Sequence, residues 1–471
     1  MNLSVVILAA GLGKRMYSQT PKVLHEALGK PLLQHVLDAV APLKPAQTIV
    51  VIGNGAQKVI ETIDNGSVQF VIQKKLLGTG NALAVAREKL NKGPVLVLNG
   101  DGPLITTKTL KTLLKRHAQS RNILSFLTFV DDSMSGYGRV IRDERGQVTA
   151  IKEDKHTTPA EKNRFKELNG GIYLMESGAL GYLGRIRKNS TSGEFYITDL
   201  VSLLSAAGTK LGAYNCPQEE IRGVNTRKEL YEVSEIMRRA CIAKWMRKGV
   251  TFLDPETSIV HSSVTIGRDS VIYPGTYLEG KTLLGKKCLI YPGTRICDSS
   301  LGNEVIIKDS TLIEGSRIRD GAMIGPFAHL RPHTVVGRNA KIGNFVELKK
   351  STIGNGTKAS HLSYLGDAEI GDNVNIGAGT ITCNYDGTNK FKTKIEPGVF
   401  IGSDTQLVAP VVIGKGAYVA AGATITQDVP PGALAISRPS QQNLKNWVRT
   451  RVLKTKKRNV KTKRGKKGAG A

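Results

Sequence analysis

VTIGRDSVIYPGTYLEGKTLLGKKCLIYPGTRI, residues 264–296, carries an aliphatic side chain at every sixth position: Ile266, Ile272, Leu278, Leu284, Ile290 and Ile296. After five-residue steps the beat resumes at Leu301, Ile307 and Ile313, then at Ile318, Ile324, Leu330, Val336, Ile342 and Leu348. Further slips bring Ile353, Ala359, Leu365, Ile370, Ile376 and Thr382. A longer interruption precedes Ile395, Ile401, Leu407, Ile413, Val419 and Ile425. A helix repeats at about 3.6 residues and an ordinary strand at about two, so neither sustains this period. A hexad beat predicts a β-solenoid, in which short strands turn a corner every six residues and stack their aliphatic residue inward. Glycine often follows the aliphatic (Gly267, Gly285, Gly325, Gly337, Gly343, Gly377, Gly402, Gly414), as a tight corner would favour.

At 471 residues the chain is too long for one compact core. The solenoid leaves roughly 225 residues at the N-terminus, the size of one α/β domain. The expected division is residues 1–227, a linker helix at 228–248, the solenoid at 249–440 and a basic, disordered tail at 441–471. Cys216, Cys241, Cys288, Cys297 and Cys383 are scattered without a CxxC pair, which argues for a reducing compartment and against a zinc site or a disulfide framework. The apolar run Val5–Ala10 has no basic residue before it, and no segment has the length of a membrane span. A cytoplasmic protein is expected.

The net charge is +28, but its distribution is uneven. No acid follows Asp428, whereas thirteen Lys or Arg do, ten of them between Arg451 and Lys467. Such a segment is solvated, and no aromatic interleaving or recognition helix accompanies it, so no dedicated nucleic-acid partner is expected. The excess elsewhere suits small anionic, phosphorylated substrates.

Leu3–Leu8 reads as a buried parallel strand leading into the Gly-rich turn Ala9–Met16. Apolar runs at Thr48–Gly53, Val68–Ile72, Val95–Leu98 and Ile123–Val130 alternate with helical patterns at Asn81–Leu90 and Thr107–His117. That alternation predicts an α/β doubly wound sheet with ligands at the carboxyl ends of its strands. Gly11 and Gly13 permit close approach of backbone N–H groups to a polyphosphate. The loop is neither a Walker A motif nor a dinucleotide fingerprint, and a plain tight turn without a ligand is its other reading. Asp101, after the strand Val95–Leu98, stands where metal and phosphates meet in such sheets; an ordinary βα-turn Asp is the other reading.

Thr226-Arg-Lys-Glu229 is a capping-box pattern that opens a helix, with Gly249 as a stop. Within the solenoid, Arg331, Lys349, His361, Tyr364 and Asn375 fall on consecutive coils, near one corner if a coil is about three hexads. The loop Asn384–Lys390 interrupts the beat beside them. A lone histidine is usually structural. Two cations, a tyrosine and a loop in its company suit a base for acyl transfer to an amine, together with cations for a substrate phosphate.

Leu8–Met16, Lys22, Leu77-Gly-Thr-Gly80, Gly100-Asp101, Gly138, Glu153, Asn169 and Gly223-Val-Asn225 resemble the sugar-1-phosphate nucleotidyltransferases. His361–Gly366, Asn373–Ala378 and Cys383–Asp386 resemble an acetyltransferase segment. Together they make the chain, except its basic tail, similar to the bacterial bifunctional N-acetylglucosamine-1-phosphate uridylyltransferases/glucosamine-1-phosphate acetyltransferases. The resemblance implies acetylation of glucosamine 1-phosphate from acetyl-CoA, then coupling of the product to UTP, giving UDP-N-acetylglucosamine for cell-wall and lipopolysaccharide precursors. It also implies a left-handed parallel β-helix and a homotrimer.

Residue by residue, the resemblance assigns Leu8, Ala9, Ala10, Gly11, Gln73, Gly78 and Thr79 to the nucleotide. Arg15 and Lys22 take its phosphates, and Asp101 and Asn225 take Mg²⁺. Gly138, Glu153 and Asn169 take the sugar phosphate, with Asn99 and Gly100 beside them. In the solenoid His361 is the base; Arg331, Lys349, Tyr364, Asn375 and Lys390 bind the sugar phosphate. Ala378, Asn384, Tyr385, Ser403, Ala421 and Arg438 contact acetyl-CoA. Asn99 stands where the family often has Tyr, and Lys14 where it often has Thr; those departures bear on nucleotide and sugar selection. Two rivals are a nucleotidyltransferase whose solenoid only oligomerises, and an inactive regulatory subunit. The joint presence of Lys22, Asp101, Asn225 and His361 argues against the second.

Overall fold

The computed structural model describes residues 2–63, 66, 68–131 and 136–455. Residues 1–310 and 311–471 form two compact units.

In the first unit a nine-stranded sheet is built from β1 (Ser4–Leu8), β2 (Gln47–Ile52), β3 (Gln69–Ile72), β4 (Val95–Asn99), β5 (Leu124–Val130), β6 (Arg139–Arg142), β7 (Val148–Lys152), β8 (Glu167–Met175) and β9 (Leu211–Asn215). Its main path runs β9-β5-β8-β4-β1-β2-β3. Helices α1 (Leu32–Val40), α2 (Ala56–Ile63), α3 (Thr79–Arg87) and α4 (Thr107–Ser120) connect its first half. β1 is buried on both faces. Val5 and Ile7 enter one hydrophobic cluster and Val6 the other, so its near-continuous apolar run needs no alternation. The expected strands are present. The sheet is nonetheless mixed: β8 runs antiparallel to β4 and β5, and the β6–β7 hairpin branches from it.

The capping box forms at the head of α5 (Arg227–Met246). Glu229 N donates to Thr226 Oγ1 at 3.2 Å, and Thr226 N donates to Glu229 Oε2 at 2.8 Å. Among the described residues no helix is long and apolar enough to cross a membrane.

Beyond this helix the strands shorten to between two and four residues and pair in parallel with those one coil away. Val271 faces Leu289, which faces Ile306; Tyr277 faces Arg295; Leu283 faces Ser300. In the second unit the same pattern links Met323, Lys341, Lys358 and Asn375. The hexad aliphatics point inward and are buried throughout. Two residues before most of them lies a second buried column that the aliphatic beat does not reveal, rich in Ser and Thr. Several of its hydroxyls donate to backbone carbonyls, as Thr276 Oγ1 does to Tyr273 O at 2.8 Å and Thr334 Oγ1 to Arg331 O at 2.7 Å. Their polar atoms are thereby satisfied within the core.

Gly325, at φ 90°, does turn a tight corner, but the other glycines after the aliphatics are there for a different reason. Gly267, Gly285, Gly337 and Gly377 do not have positive φ. A Cβ at any of them would lie 2.3–2.6 Å from the backbone of the glycine one coil further on. The positive-φ corners fall to other residues, among them Asp269, Lys287 and Asn339. Gly285→Ala is therefore expected to cost about 1–3 kcal/mol by overpacking, read as a lower urea midpoint of the solenoid.

Within the expected tail, residues 441–446 are exposed and non-helical, residues 447–455 are helical and exposed, and residues 456–471 lie outside the described residues.

Candidate functional sites

β1 and β4 pair in parallel, and their next neighbours, β2 and β8, continue to opposite sides. The crevice beyond their carboxyl ends is a topological switch point, where open α/β sheets bind ligands. Gly100 N donates across it to Leu8 O at 2.9 Å. A cavity of about 390 Å³ opens there, bringing the Leu8–Gly11 backbone together with Lys22, Gln73, Gly78, Thr79, Asn99 and Asp101. A second cavity of about 300 Å³ shares Leu8, Thr79, Asn99 and Asp101 and adds Arg15, Gly138, Glu153, Asn169 and Asn225. Arg15, on a short turn at Lys14–Met16, thus lines the second cavity with Gly138, Glu153 and Asn169 rather than the first one.

At the shared wall the Lys22 ammonium pairs with Asp101 Oδ2 and donates to Asn225 Oδ1 at 3.0 Å. Two hard oxygens therefore converge on one cation. Their carriers are braced: Val224 N donates to Asp101 O at 2.9 Å, and Asn225 N donates to Glu229 Oε2 at 2.7 Å, so the helix cap also sets the loop. Burial holds the Tyr137 phenol above its ordinary pKa, and the charges of Asp101 and Glu229 add to the rise.

The Leu77–Gly80 turn is clamped by a segment that sequence reasoning missed. Phe195 N donates to Leu77 O and Gly80 N to Phe195 O, both at 2.8 Å, and Ile197 N donates to Thr79 Oγ1 at 3.1 Å. The same segment continues to Thr198, whose hydroxyl donates to Glu153 Oε1 at 2.8 Å. Gln73 Nε2 donates to Asn81 Oδ1 at 2.8 Å and to Gly78 O at 3.2 Å. Asn169 Nδ2 donates to the Tyr173 hydroxyl at 2.6 Å.

In the second unit, four strands carry the other site: β10 (Lys341–Asn344), β11 (Glu347–Lys349), β12 (Lys358–His361) and β13 (Tyr364–Gly366). One corner follows His361. Its left-handed positions are Phe327, Phe345, Leu362, Gly379, Asp404 and Gly422 on successive coils. Ala378 O accepts from Asp404 N at 2.7 Å, Ser403 O from Gly422 N at 2.8 Å, and Ala421 O from the Arg438 guanidinium. His361, Ala378, Ser403, Ala421 and Arg438 therefore form one continuous line.

The next corner is cationic. Arg331 N donates to Leu348 O at 2.9 Å, which sets Arg331 beside Lys349, itself the register partner of Gly366. The Lys390 ammonium lies against Lys349 and, with Arg331, holds the Lys349 pKa below its usual value. The face between the corners bears Glu347, whose carboxylate accepts from Arg331 at 3.1 Å, and Tyr364. Gly366 leaves room for the Tyr364 hydroxyl and the Asn384 amide, either of which a Cβ there would meet within 3 Å. Asn384 Nδ2 donates to Asp367 Oδ2 at 2.6 Å.

The interrupting loop is itself ordered. Tyr385 and Lys390 form an antiparallel bridge, and Asp386 Oδ1 accepts from Thr388 N and Asn389 N at 2.8 and 2.6 Å. Asn375 does not join this group: it faces Lys358, at the far end of β12 from His361. A further partner escaped the sequence reading: His361 Nδ1 lies 2.9 Å from Asn344 Oδ1.

Residues 5–139 match the model of the MobA-like NTP transferase domain, and residues 315–350 and 392–427 that of the bacterial transferase hexapeptide (six repeats). The fold is an α/β nucleotidyltransferase domain followed in sequence by a left-handed parallel β-helix. The chain is 46% identical to a bifunctional protein GlmU of Thermodesulfovibrio yellowstonii, over 95% of this chain and 99% of that one. It is 47% identical to that of Thermoanaerobacter pseudethanolicus, over 96% and 99%. For that of Alkaliphilus metalliredigens the identity is 45%, over 95% and 98%. Likeness at this level along nearly the full length of both chains means that this protein belongs to the bifunctional GlmU family.

Proposed function

We propose that the switch-point crevice is the uridylyl-transfer site and that the face between the two solenoid corners is the acetyl-transfer site. The enzyme acetylates glucosamine 1-phosphate with acetyl-CoA, then transfers UMP from UTP to N-acetylglucosamine 1-phosphate, yielding UDP-N-acetylglucosamine and pyrophosphate for cell-wall precursors. The observation that carries the site assignment is the meeting of Lys22, Asp101 and Asn225 where the two crevice cavities join.

In uridylyl transfer a phosphate oxygen of the sugar attacks the α-phosphorus of UTP, and the bond to the departing pyrophosphate breaks. Both reactants are anions, so the residues must neutralise charge and align them; no side chain has to take a proton. Lys22 lines the first cavity, beside the Asp101 that both share, and Arg15 lines the second, each placed to hold a phosphate. The Gln73 amide and the clamped Gly78–Thr79 turn hold the base, and Glu153 and Asn169 hold the sugar. Asp101 Oδ2 and Asn225 Oδ1 fit Mg²⁺: hard oxygens already directed at a cation, with substrate phosphates left to complete the shell. When bound, the ion supplies further charge neutralisation. Chelation with EDTA is expected to stop pyrophosphate release while leaving acetyl transfer intact.

In acetyl transfer His361 takes a proton from the substrate ammonium. The freed amine attacks the thioester carbonyl, its nitrogen releases a second proton to water, the C–S bond breaks, and the proton held by His361 passes to the leaving thiolate. Arg331, Lys349 and Lys390 hold the sugar phosphate, and the line from Ala378 to Arg438 holds the acyl donor. An anion placed between Lys349 and Lys390 relieves their repulsion and favours the charged form of Lys349. Binding of glucosamine 1-phosphate at alkaline pH should therefore take up protons, measurable by calorimetry in buffers of different ionisation enthalpy.

The solenoid forms the homotrimer, and the exposed side chains of Phe327, Phe345 and Leu362 give a neighbour an apolar face to cover. Sedimentation equilibrium should return three times the chain mass. The purified protein given glucosamine 1-phosphate, acetyl-CoA and UTP should make UDP-N-acetylglucosamine. Uridylyl transfer without acetylation would reject the assignment of the solenoid face.

A further inference from the structure

β10 and β12 are each four residues long, while the other described strands of the solenoid have two or three. Both end at the His361 corner, where Phe345 and Leu362 turn left-handed. Gly343 allows their close approach, since a Cβ there would lie 1.9 Å from Ser360 O. The extension puts Asn344 in register with His361, and Leu362 N donates to Asn344 O at 3.0 Å. Asn344 is thus anchored by its backbone while its amide oxygen stands 2.9 Å from His361 Nδ1. Glu347, the carboxylate on the neighbouring face, is engaged by Arg331.

We propose that Asn344 is a positioning residue for acetyl transfer, holding His361 as the Nδ1–H tautomer so that Nε2 is the nitrogen that takes the substrate's proton. The inference rests on His361 being the base. An amide oxygen only accepts, so the proton of that contact is carried by Nδ1; in a neutral imidazole the lone pair is then on Nε2. As the ammonium proton moves to Nε2 the ring becomes cationic, and the Nδ1–H···Oδ1 bond strengthens without any atom having to move. The proton then leaves from Nε2 to the thiolate, and the ring returns to the starting tautomer. Asn344 touches neither substrate in this scheme; it acts only through the ring.

Three variants and one spectrum test this on the full-length enzyme. His361→Ala tests the base assignment itself, and its retention of acetyl transfer would remove that reading. With that variant inactive, Asn344→Leu should lower kcat for acetyl transfer by about 10–100-fold, the usual range for a lost orienting partner. KM for both substrates should stay within about two-fold of wild type. Asn344→Asp, which keeps an acceptor oxygen, should recover most of that loss. The ¹⁵N spectrum of the wild-type enzyme, with His361 assigned by difference from His361→Ala, should show Nδ1 protonated and Nε2 bare, whatever the leucine variant does to folding. A ring protonated at Nε2, or equal losses in the Leu and Asp variants, would overturn the proposal.

Discussion

Alanine in place of His361 is expected to lower acetyl transfer to glucosamine 1-phosphate by about 10²–10⁴-fold, the contribution of a positioned general base. The exposed ring packs into no core, so the coil should keep its shape. Uridylyl transfer, assayed on the same sample by pyrophosphate release from UTP and N-acetylglucosamine 1-phosphate, should be unchanged. Saturating substrates should not restore the rate, because the cations that hold the phosphate remain in place. Equal loss of both activities in a folded protein would contradict the separation of the two chemistries.

Asp101→Asn is expected to have the reverse selectivity. The amide keeps the shape of the carboxylate and leaves the backbone bond from Val224 intact, but it removes the negative charge that faces Lys22. A site built on charge placement should lose about 10²–10³-fold in uridylyl transfer, with acetyl transfer unaffected. The requirement for Mg²⁺ should also move to higher concentration, since the only charged one of the two proposed oxygen ligands is now neutral. A small effect on the rate with no change in metal dependence would reassign Asp101 to a purely structural ion pair.

How much of this was legible beforehand depended on the kind of physical signal. The six-residue period is a property of single side chains repeated many times, so the solenoid could be read from Ile266 to Ile425. The crevice was legible because its residues cluster at strand ends, and strand ends can be located from apolar runs. The antiparallel β8 was not, since a buried apolar strand has the same composition in either direction. Gly325 excepted, the glycines were noticed but misread. Their cause is a backbone one coil away, a distance invisible to local pattern. The hydroxyl column hid for the opposite reason: Ser and Thr read as surface residues until their carbonyl acceptors are known. Asn344 lies 17 residues before His361, one coil earlier, and only the register reveals that spacing as contact.

One coil carries a consequence beyond its chemistry. From Asn375 to Phe400 the chain spends 25 residues where neighbouring coils spend 17 or 18, yet Asn375 still faces Phe400 and the pairing goes on to Tyr418. The surplus leaves the ladder at the corner after Cys383 and returns before Thr393. A corner of this kind is an insertion port: chain length can change there without altering the phase of the repeat. Catalytic novelty on such a scaffold then needs no redesign of the core, only a graft at a bend, and a reader seeking function in other hexad sequences should look first where the count is wrong.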